Sequence, residues 1–123
     1  MEEQSILIIE KDVAVRNHLS KKFNNLGMLV ITAEEGYEGY NRACNESPNF
    51  IVTETLLPNL NGFKICYLLK HDDRYRDIPI ALITSNELAI EKQNFESCKA
   101  DVILKKPFKF SQLAEKMKLT QSS

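Results

Sequence analysis

The sequence lacks the features that mark disulfide-bonded, secreted and membrane-spanning proteins. Its three cysteines, Cys44, Cys66 and Cys98, are an odd number and form no CxxC pair. Free thiols in apolar surroundings behave as small hydrophobes and are typical of a reducing compartment. The apolar run near the start covers only residues 6–9, whereas a signal peptide needs about 7–15 apolar residues and a membrane span about 20. These absences predict a cytoplasmic protein that does not contact the membrane.

Charge and short motifs argue against several further classes of function. The formal net charge is −1 over 123 residues, so no general attraction to nucleic acid is expected. The chain contains no GxSxG, GxGxxG or P-loop motif, which removes support for hydrolase, dinucleotide and nucleotide sites. His18 and His71 have no partner at metal-ligand spacing. We therefore expect no enzymatic activity, no metal centre and no direct contact with nucleic acid.

Five short apolar runs alternate with helical patterns along the chain. Each run is apolar on both faces, which is typical of a parallel strand covered by helices on both sides. The alternation predicts an α/β fold, a doubly wound sheet of five parallel strands with helices on both faces. The runs are residues 6–9, 29–31, 50–52, 80–83 and 102–104.

Caps and apolar stripes predict the helices between these strands. Asp12 is placed to cap the first helix and Gly27 to end it. Thr32 and Glu35 have the spacing of a capping box for the second helix. The apolar stripes of these two helices are predicted at Val15, Leu19, Phe23 and Leu26, and at Tyr37, Tyr40 and Cys44. The remaining three helices are predicted at residues 63–71, 87–97 and 111–119.

Polar side chains follow four of the five predicted strands. In doubly wound sheets the ligand site lies at the carboxyl ends of the strands, near the point where the strand order reverses. We therefore expect acids, hydroxyls and lysines to converge at that end of the sheet. These residues are Glu10, Lys11, Asp12, Thr53, Glu54, Thr84, Ser85, Lys105 and Lys106.

Four motifs, in order, make the chain resemble a response-regulator receiver domain over nearly its whole length. They are residues 6–9 with the acidic turn after them, LPNLNG at 57–62, IPIALITS at 78–85, and Ala100-Asp101 leading to Lys106-Pro107-Phe108. The resemblance implies a flavodoxin-like (βα)5 fold with strand order 2-1-3-4-5 and a cis peptide bond at Lys106-Pro107. We assign residues 1–119 to this domain and residues 120–123 to a polar tail that would begin a linker to a further domain.

The resemblance also implies a Mg²⁺ site, formed in the family by two adjacent acids after the first strand. Here those positions hold Glu10 and Lys11. If the Lys11 ammonium points inward, it takes the place of the metal and neutralises the neighbouring acids. Asp12 is a spare metal ligand or, as we favour, a helix cap. We therefore expect no cofactor, and weak binding of Mg²⁺ stays an alternative.

The family's phosphoacceptor aspartate lies four residues before the loop proline, and Glu54 stands there in this chain. Its extra methylene moves the carboxylate outward by about 1.5 Å, toward Thr84 and Lys106, which match the family's hydroxyl and lysine. Glu54 would then accept bonds from both and act as a built-in partial mimic of the phosphorylated state. The alternative is an inert acid in a polar cleft. Ile103 replaces the family's switch aromatic and has no ring to reorient.

These changes predict a degenerate receiver, or pseudo-receiver, that works in two-component signalling by phosphorylation-independent binding to a protein. The partner would be a histidine kinase, an effector domain or another signalling protein. Two alternatives stay open: a weak phosphoacceptor that uses Glu54 with residual Mg²⁺, and a dimerisation or scaffold domain of a larger regulator. The docking face implied by the resemblance contains Leu88, Lys92, Ile103, Lys105 and Lys109.

Overall fold

A computed structural model describes residues 3–85 and 97–121 of the chain. In these residues parallel strands alternate with helices, and the strand order is β2-β1-β3-β4-β5. The strands are β1 (Ser5–Ile9), β2 (Leu29–Ala33), β3 (Phe50–Glu54), β4 (Ile80–Thr84) and β5 (Val102–Lys105). The helices are α1 (Val13–Asn25), α2 (Gly36–Glu46), α3 (Gly62–Lys70) and α4 (Phe110–Gln121). The predicted fold and strand order are confirmed.

The predicted fourth helix cannot be compared with the structure, and the predicted start of the polar tail differs from it. Residues 86–96, which include most of the helix predicted at 87–97, lie outside the described residues. Helix α4 continues to Gln121, so the polar tail predicted to start at residue 120 begins in a helix. Within the described ranges, no helix has the length and apolar character needed to cross a bilayer.

Successive strand residues point to opposite faces of the sheet and form one apolar layer on each face. Leu7 and Ile9 of β1 pack with side chains from α2 and α3. Ile6 and Ile8 of the same strand pack with side chains from α1 and α4. The central strands β3 and β4 are buried along their whole length. This two-sided burial explains why the strands are apolar at successive positions and places the carboxyl end of the sheet between the two helical layers.

The predicted ends of α1 are confirmed. The Asp12 carboxylate accepts hydrogen bonds from two amides of the first turn, at 2.9 and 3.2 Å, so Asp12 is the helix cap. Gly27 has a left-handed φ of 84°, which glycine adopts without steric cost. The predicted stripe is wrong at Leu26, because the helix ends at Asn25 and Leu26 is exposed.

The predicted start of α2 is wrong. Thr32 lies inside β2, and Glu35 is itself the cap, with its carboxylate accepting a hydrogen bond from the Glu38 amide. Because α2 starts later than predicted, its buried face consists of small residues, and Tyr37 is exposed. Tyr40 and Cys44 only pack against the margin of the core. The buried residues of α2 are Gly36, Gly39 and Ala43.

Candidate functional site

Two acids, a hydroxyl and a lysine lie at the carboxyl ends of four strands. Glu10 directly follows β1, Glu54 ends β3, Thr84 ends β4, and Lys106 directly follows β5. Glu10 and Thr84 are fully buried, and Glu54 is only 3% exposed. A buried carboxylate is unfavourable unless it is paired and hydrogen-bonded. The contacts of these two carboxylates therefore define the site.

Lys106 supplies the positive charge of the site. Its ammonium donates to Oε1 of Glu10 and to Oε2 of Glu54, so one cation stands between two carboxylates. Its backbone amide donates to the Thr84 carbonyl at 2.7 Å, and the Lys106-Pro107 peptide bond is cis, as expected. Burial alone would lower the pKa of Lys106, but the hydrogen bonds with Glu10 and Glu54 outweigh it and the pKa is raised. The lysine is thereby held in its charged form.

The remaining carboxylate oxygens are held by the loops after the strands. Oε1 of Glu54 accepts from the Thr55 hydroxyl at 3.3 Å and the Leu56 amide at 3.2 Å. Oε2 of Glu10 accepts a long bond from the Asp12 amide at 3.4 Å. Among the described residues, no buried side-chain nitrogen or oxygen is without a hydrogen-bond partner. The site is thus satisfied in hydrogen bonds, although two carboxylates face one ammonium.

The start of α3 packs closely against the backbone of Glu54. Gly62, the first residue of α3, packs directly on the Glu54 carbonyl, and a Cβ at this position would collide with it. The Gly62 amide also donates to the Thr55 carbonyl at 2.8 Å. Helix α3 therefore begins against the end of β3, the strand whose last side chain, Glu54, contacts Lys106.

Lys11 does not take the place of a metal, and this hypothesis is wrong. Lys11 is exposed, whereas Glu10 before it is fully buried. Successive side chains of an extended chain point in opposite directions, so an inward Glu10 directs Lys11 outward. The predicted bond from Lys106 to Glu54 is present, and the other described bonds of Glu54 come from Thr55 and Leu56 rather than from Thr84.

Comparison with known proteins identifies the family. The sequence model described as the response regulator receiver domain matches residues 6–118 of the chain. The chain belongs to this family. It is therefore a receiver domain of two-component signalling, as the four motifs predicted.

Similar proteins of this family include both short and long chains. The receiver domain is 26% identical over 117 residues to Protein PilG of Pseudomonas aeruginosa, with 92% of this chain and 87% of PilG covered. It is 32% identical over 114 residues to RpaA of Synechocystis, described as a DNA-binding dual master transcriptional regulator, with 92% of this chain and 47% of RpaA covered. The chain thus spans about half the length of RpaA.

A solved structure shows the same fold around a metal ion. The receiver domain of the sensor histidine kinase PA1611 from Pseudomonas aeruginosa is described with a magnesium ion coordinated in its active-site cleft. It covers 99% of the present chain at a TM-score of 0.87, and the chain covers 100% of it, with 23% sequence identity. At this identity the likeness establishes the fold alone.

The residues of this receiver domain do not fit a Mg²⁺ ion in the arrangement observed. The ion takes near-octahedral oxygen ligands, typically one or two carboxylates with waters. Both buried carboxylates, Glu10 and Glu54, are engaged by the Lys106 ammonium, and the Asp12 carboxylate caps α1. Over the ranges the structure describes, no three His, Cys, Asp or Glu side chains form a cluster able to hold a metal.

The predicted docking face of the receiver domain is described in part. Ile103 is half-buried in β5 and packs against the apolar layer below α3, and Lys105 and Lys109 are exposed. Leu88 and Lys92 lie outside the described residues. The role of this face stays a prediction.

Sequence reasoning missed Arg16, which fixes the turn after β1. Its guanidinium donates to the Glu10 carbonyl at 2.8 Å and pairs with Glu34 at 3.1 Å. The Arg16 side chain is only 11% exposed. The sequence signal that could have identified Arg16 is its place directly after Val15, beside the apolar stripe of the first helix. The contact holds the backbone of the residue that carries the first carboxylate.

Proposed function

We propose that this receiver domain signals by binding a protein partner without being phosphorylated. The observation that carries the proposal is the Lys106 ammonium between Glu10 and Glu54. Phosphorylation of a carboxylate brings negative groups together, and a divalent cation normally screens them. Here the Lys106 ammonium already contacts both acids, including the carboxylate at the acceptor position.

In this proposal Glu54 is a built-in partial mimic of the activated receiver. Its bond to Lys106 connects the carboxyl ends of β3 and β5 without a phosphoryl group. Charge-assisted bonds of this kind are roughly twice as strong as neutral ones. Ile103 supports the proposal because a β-branched side chain is stiff at χ1 and has no ring to swing between positions. The domain would therefore stay in one state.

We further propose the setting in which this state is used. The domain would have no catalytic activity of its own and would work in the cytoplasm, without contacting nucleic acid or membrane directly. Receiver domains interact with histidine kinases and with effector domains, and a partner of this kind would dock on Ile103, Lys105 and Lys109. Because these residues lie close to Lys106 in the chain, the partner would contact the segment that the carboxylate site holds in place.

A weak phosphoacceptor is the second candidate. It is favoured by the meeting of two buried carboxylates at the strand ends, since two carboxylates plus waters suffice for some Mg²⁺ sites. This function would require Lys106 to release Glu10 and Glu54. The two candidates therefore differ in whether Mg²⁺ and a phosphoryl analogue bind to the unmodified protein.

Amide NMR titration with Mg²⁺, followed by Mg²⁺ with beryllofluoride, distinguishes these candidates. We expect no saturable shifts at Glu10, Glu54, Thr84 or Lys106 in the unmodified protein. The double variant Lys11→Asp/Glu54→Asp restores the family's acids and is expected to show such shifts. The matched control Lys21→Asp/Glu46→Asp places the same changes on exposed helical positions and should stay silent. Saturable shifts in the unmodified protein would contradict the proposal and establish the phosphoacceptor.

A further inference from the structure

Cys66 and Cys98 form a buried thiol pair outside the carboxylate site. Cys66 lies in α3, and Cys98 lies shortly before β5, 32 positions later. The Cys66 thiol donates to the Cys98 carbonyl at 3.3 Å, and the two side chains are 0% and 1% exposed. Neither sulfur is part of a disulfide in this structure. The fold thus brings together two cysteines that the sequence separates.

The two thiols differ in acidity because they interact. Hydrogen bonding from Cys66, which outweighs the opposing effect of burial, lowers the pKa of the Cys98 thiol to about 7. Hydrogen bonding with Cys98, together with burial, raises the pKa of Cys66. The charges that act on Cys66 are those of Lys70, which lowers its pKa, and Asp101, which raises it, and these two pair with each other at 2.7 Å. Cys98 is therefore the more acidic of the two thiols, and only a thiolate is an effective nucleophile.

We propose that Cys66 and Cys98 are a redox modification site that closes to an intramolecular disulfide in response to a hydroperoxide. The Cys98 thiolate attacks one peroxide oxygen. A sulfur–oxygen bond forms, the oxygen–oxygen bond breaks, and hydroxide leaves. Cys66 loses its proton and attacks the sulfenic sulfur of Cys98. The sulfur–sulfur bond forms and water leaves, so the thiols lose two electrons and the peroxide gains them.

An open surface pocket borders Cys98 and brings a small oxidant next to this residue. Its volume is about 320 Å³, and Cys98 forms part of its wall. A single water molecule occupies only about 30 Å³ of liquid volume, so hydrogen peroxide is small enough to enter. The other lining residues are Asn61, Phe63, Lys64, Tyr67 and Ser97.

The disulfide would join two elements that position the carboxylate site. Helix α3 begins with Gly62 against Glu54, and β5 leads into Lys106. A crosslink between Cys66 and the segment before β5 would hold these elements at a fixed separation. It would also restrict the unfolded chain, which stabilises the folded state. Oxidation would thereby make the domain more rigid without altering the carboxylates.

The Cys44→Ser variant tests the proposal with only the two paired cysteines present. The folded protein is treated with hydrogen peroxide at neutral pH, then unfolded and alkylated with N-ethylmaleimide for intact-mass analysis. We expect a loss of two hydrogen atoms, no alkylation and a crosslinked Cys66–Cys98 peptide. The melting temperature should rise by roughly 5–15 °C and return on reduction. Full alkylation of both thiols after peroxide treatment would overturn the proposal and leave the pair as core packing.

Two further variants identify the attacking thiol. In Cys44→Ser/Cys66→Ser the reaction should stop at Cys98, whose sulfenic acid forms an adduct with dimedone. In Cys44→Ser/Cys98→Ser the remaining Cys66 should give no adduct under the same exposure. An adduct at Cys66 but none at Cys98 would overturn the assignment of Cys98 as the nucleophile.

Discussion

A lysine forms ion pairs at each end of the sheet, but the number of carboxylates that it faces differs between the two ends. At the amino end, the Lys70 ammonium pairs with Asp101 at 2.7 Å and donates to two backbone carbonyls at 2.8 and 3.1 Å. The same Asp101 oxygen accepts from the Ile80 amide at 2.8 Å. At the carboxyl end, the Lys106 ammonium faces two carboxylates. The first pair is balanced in charge, and the second carries an excess negative charge.

This difference in charge distinguishes a contact that stabilises the fold from a functional site. Lys70 and Asp101 connect the end of α3 to the starts of β4 and β5. The carboxyl end instead buries two carboxylates close to each other, which fold stability alone does not require. Unbalanced buried charge of this kind marks functional sites more often than scaffold contacts. The comparison leads to predictions about what each lysine contributes.

Lys106→Met should be the most destabilising of these changes. It leaves Glu10 and Glu54 buried and without their cation, and removal of one partner of a buried pair costs about 3–5 kcal/mol. We expect a loss near the lower end, since Lys106 is 19% exposed. Urea unfolding at neutral pH measures the free energy of unfolding.

Lys109→Met is the matched control for this substitution. Lys109 is an exposed lysine three positions later, and surface substitutions of this kind usually change stability by less than about 0.5 kcal/mol. Equal stability of the two variants would show that Lys106 does not hold the carboxylates together.

Glu54→Gln should rescue Lys106→Met. The amide oxygen can still accept bonds from Thr55 and Leu56, and the substitution removes the second negative charge. A double-mutant cycle measured by urea unfolding should give a coupling of about 1–3 kcal/mol in favour of the double variant. Additive effects would mean that the two carboxylates do not interact through Lys106.

Lys70→Met should lower the free energy of unfolding by less than Lys106→Met does. The loss of its bonds to Asp101 and to the two carbonyls is expected to cost about 1–2 kcal/mol. Asp101 is 32% exposed, and it keeps its bond from the Ile80 amide, so no second buried charge is left unpaired. Urea unfolding of both variants at neutral pH checks this. A loss of stability equal to that of Lys106→Met would remove the distinction between the two ends.

The fold was predictable from sequence because its strands are buried on both faces and its helix ends carry local signals such as Asp12 and Gly27. The start of α2 was not, because Thr32 has a strong strand propensity and the pairing of β2 with β1 overrides the capping-box spacing. The residues of the carboxylate site could be named from their positions after the strands. The resemblance also placed Lys106 there, but the outward direction of Lys11 could not be predicted, since it depends on how the chain leaves β1.

The smallest expected effect is a change in the stability contribution of Lys106 at alkaline pH. The raised pKa of Lys106 means that its charged form stabilises the fold fully below the ordinary lysine pKa of about 10.4. This stabilisation is lost as pH rises through the higher pKa of the folded state. Deprotonated Lys106 leaves Glu10 and Glu54 as unpaired as methionine does. The stability difference between the unmodified protein and Lys106→Met should therefore be constant from neutral pH to about pH 10 and shrink above it. Urea midpoints of both proteins across this range provide the measurement, and a difference that stays constant into strong alkali would show that the ammonium charge is not what holds the two carboxylates.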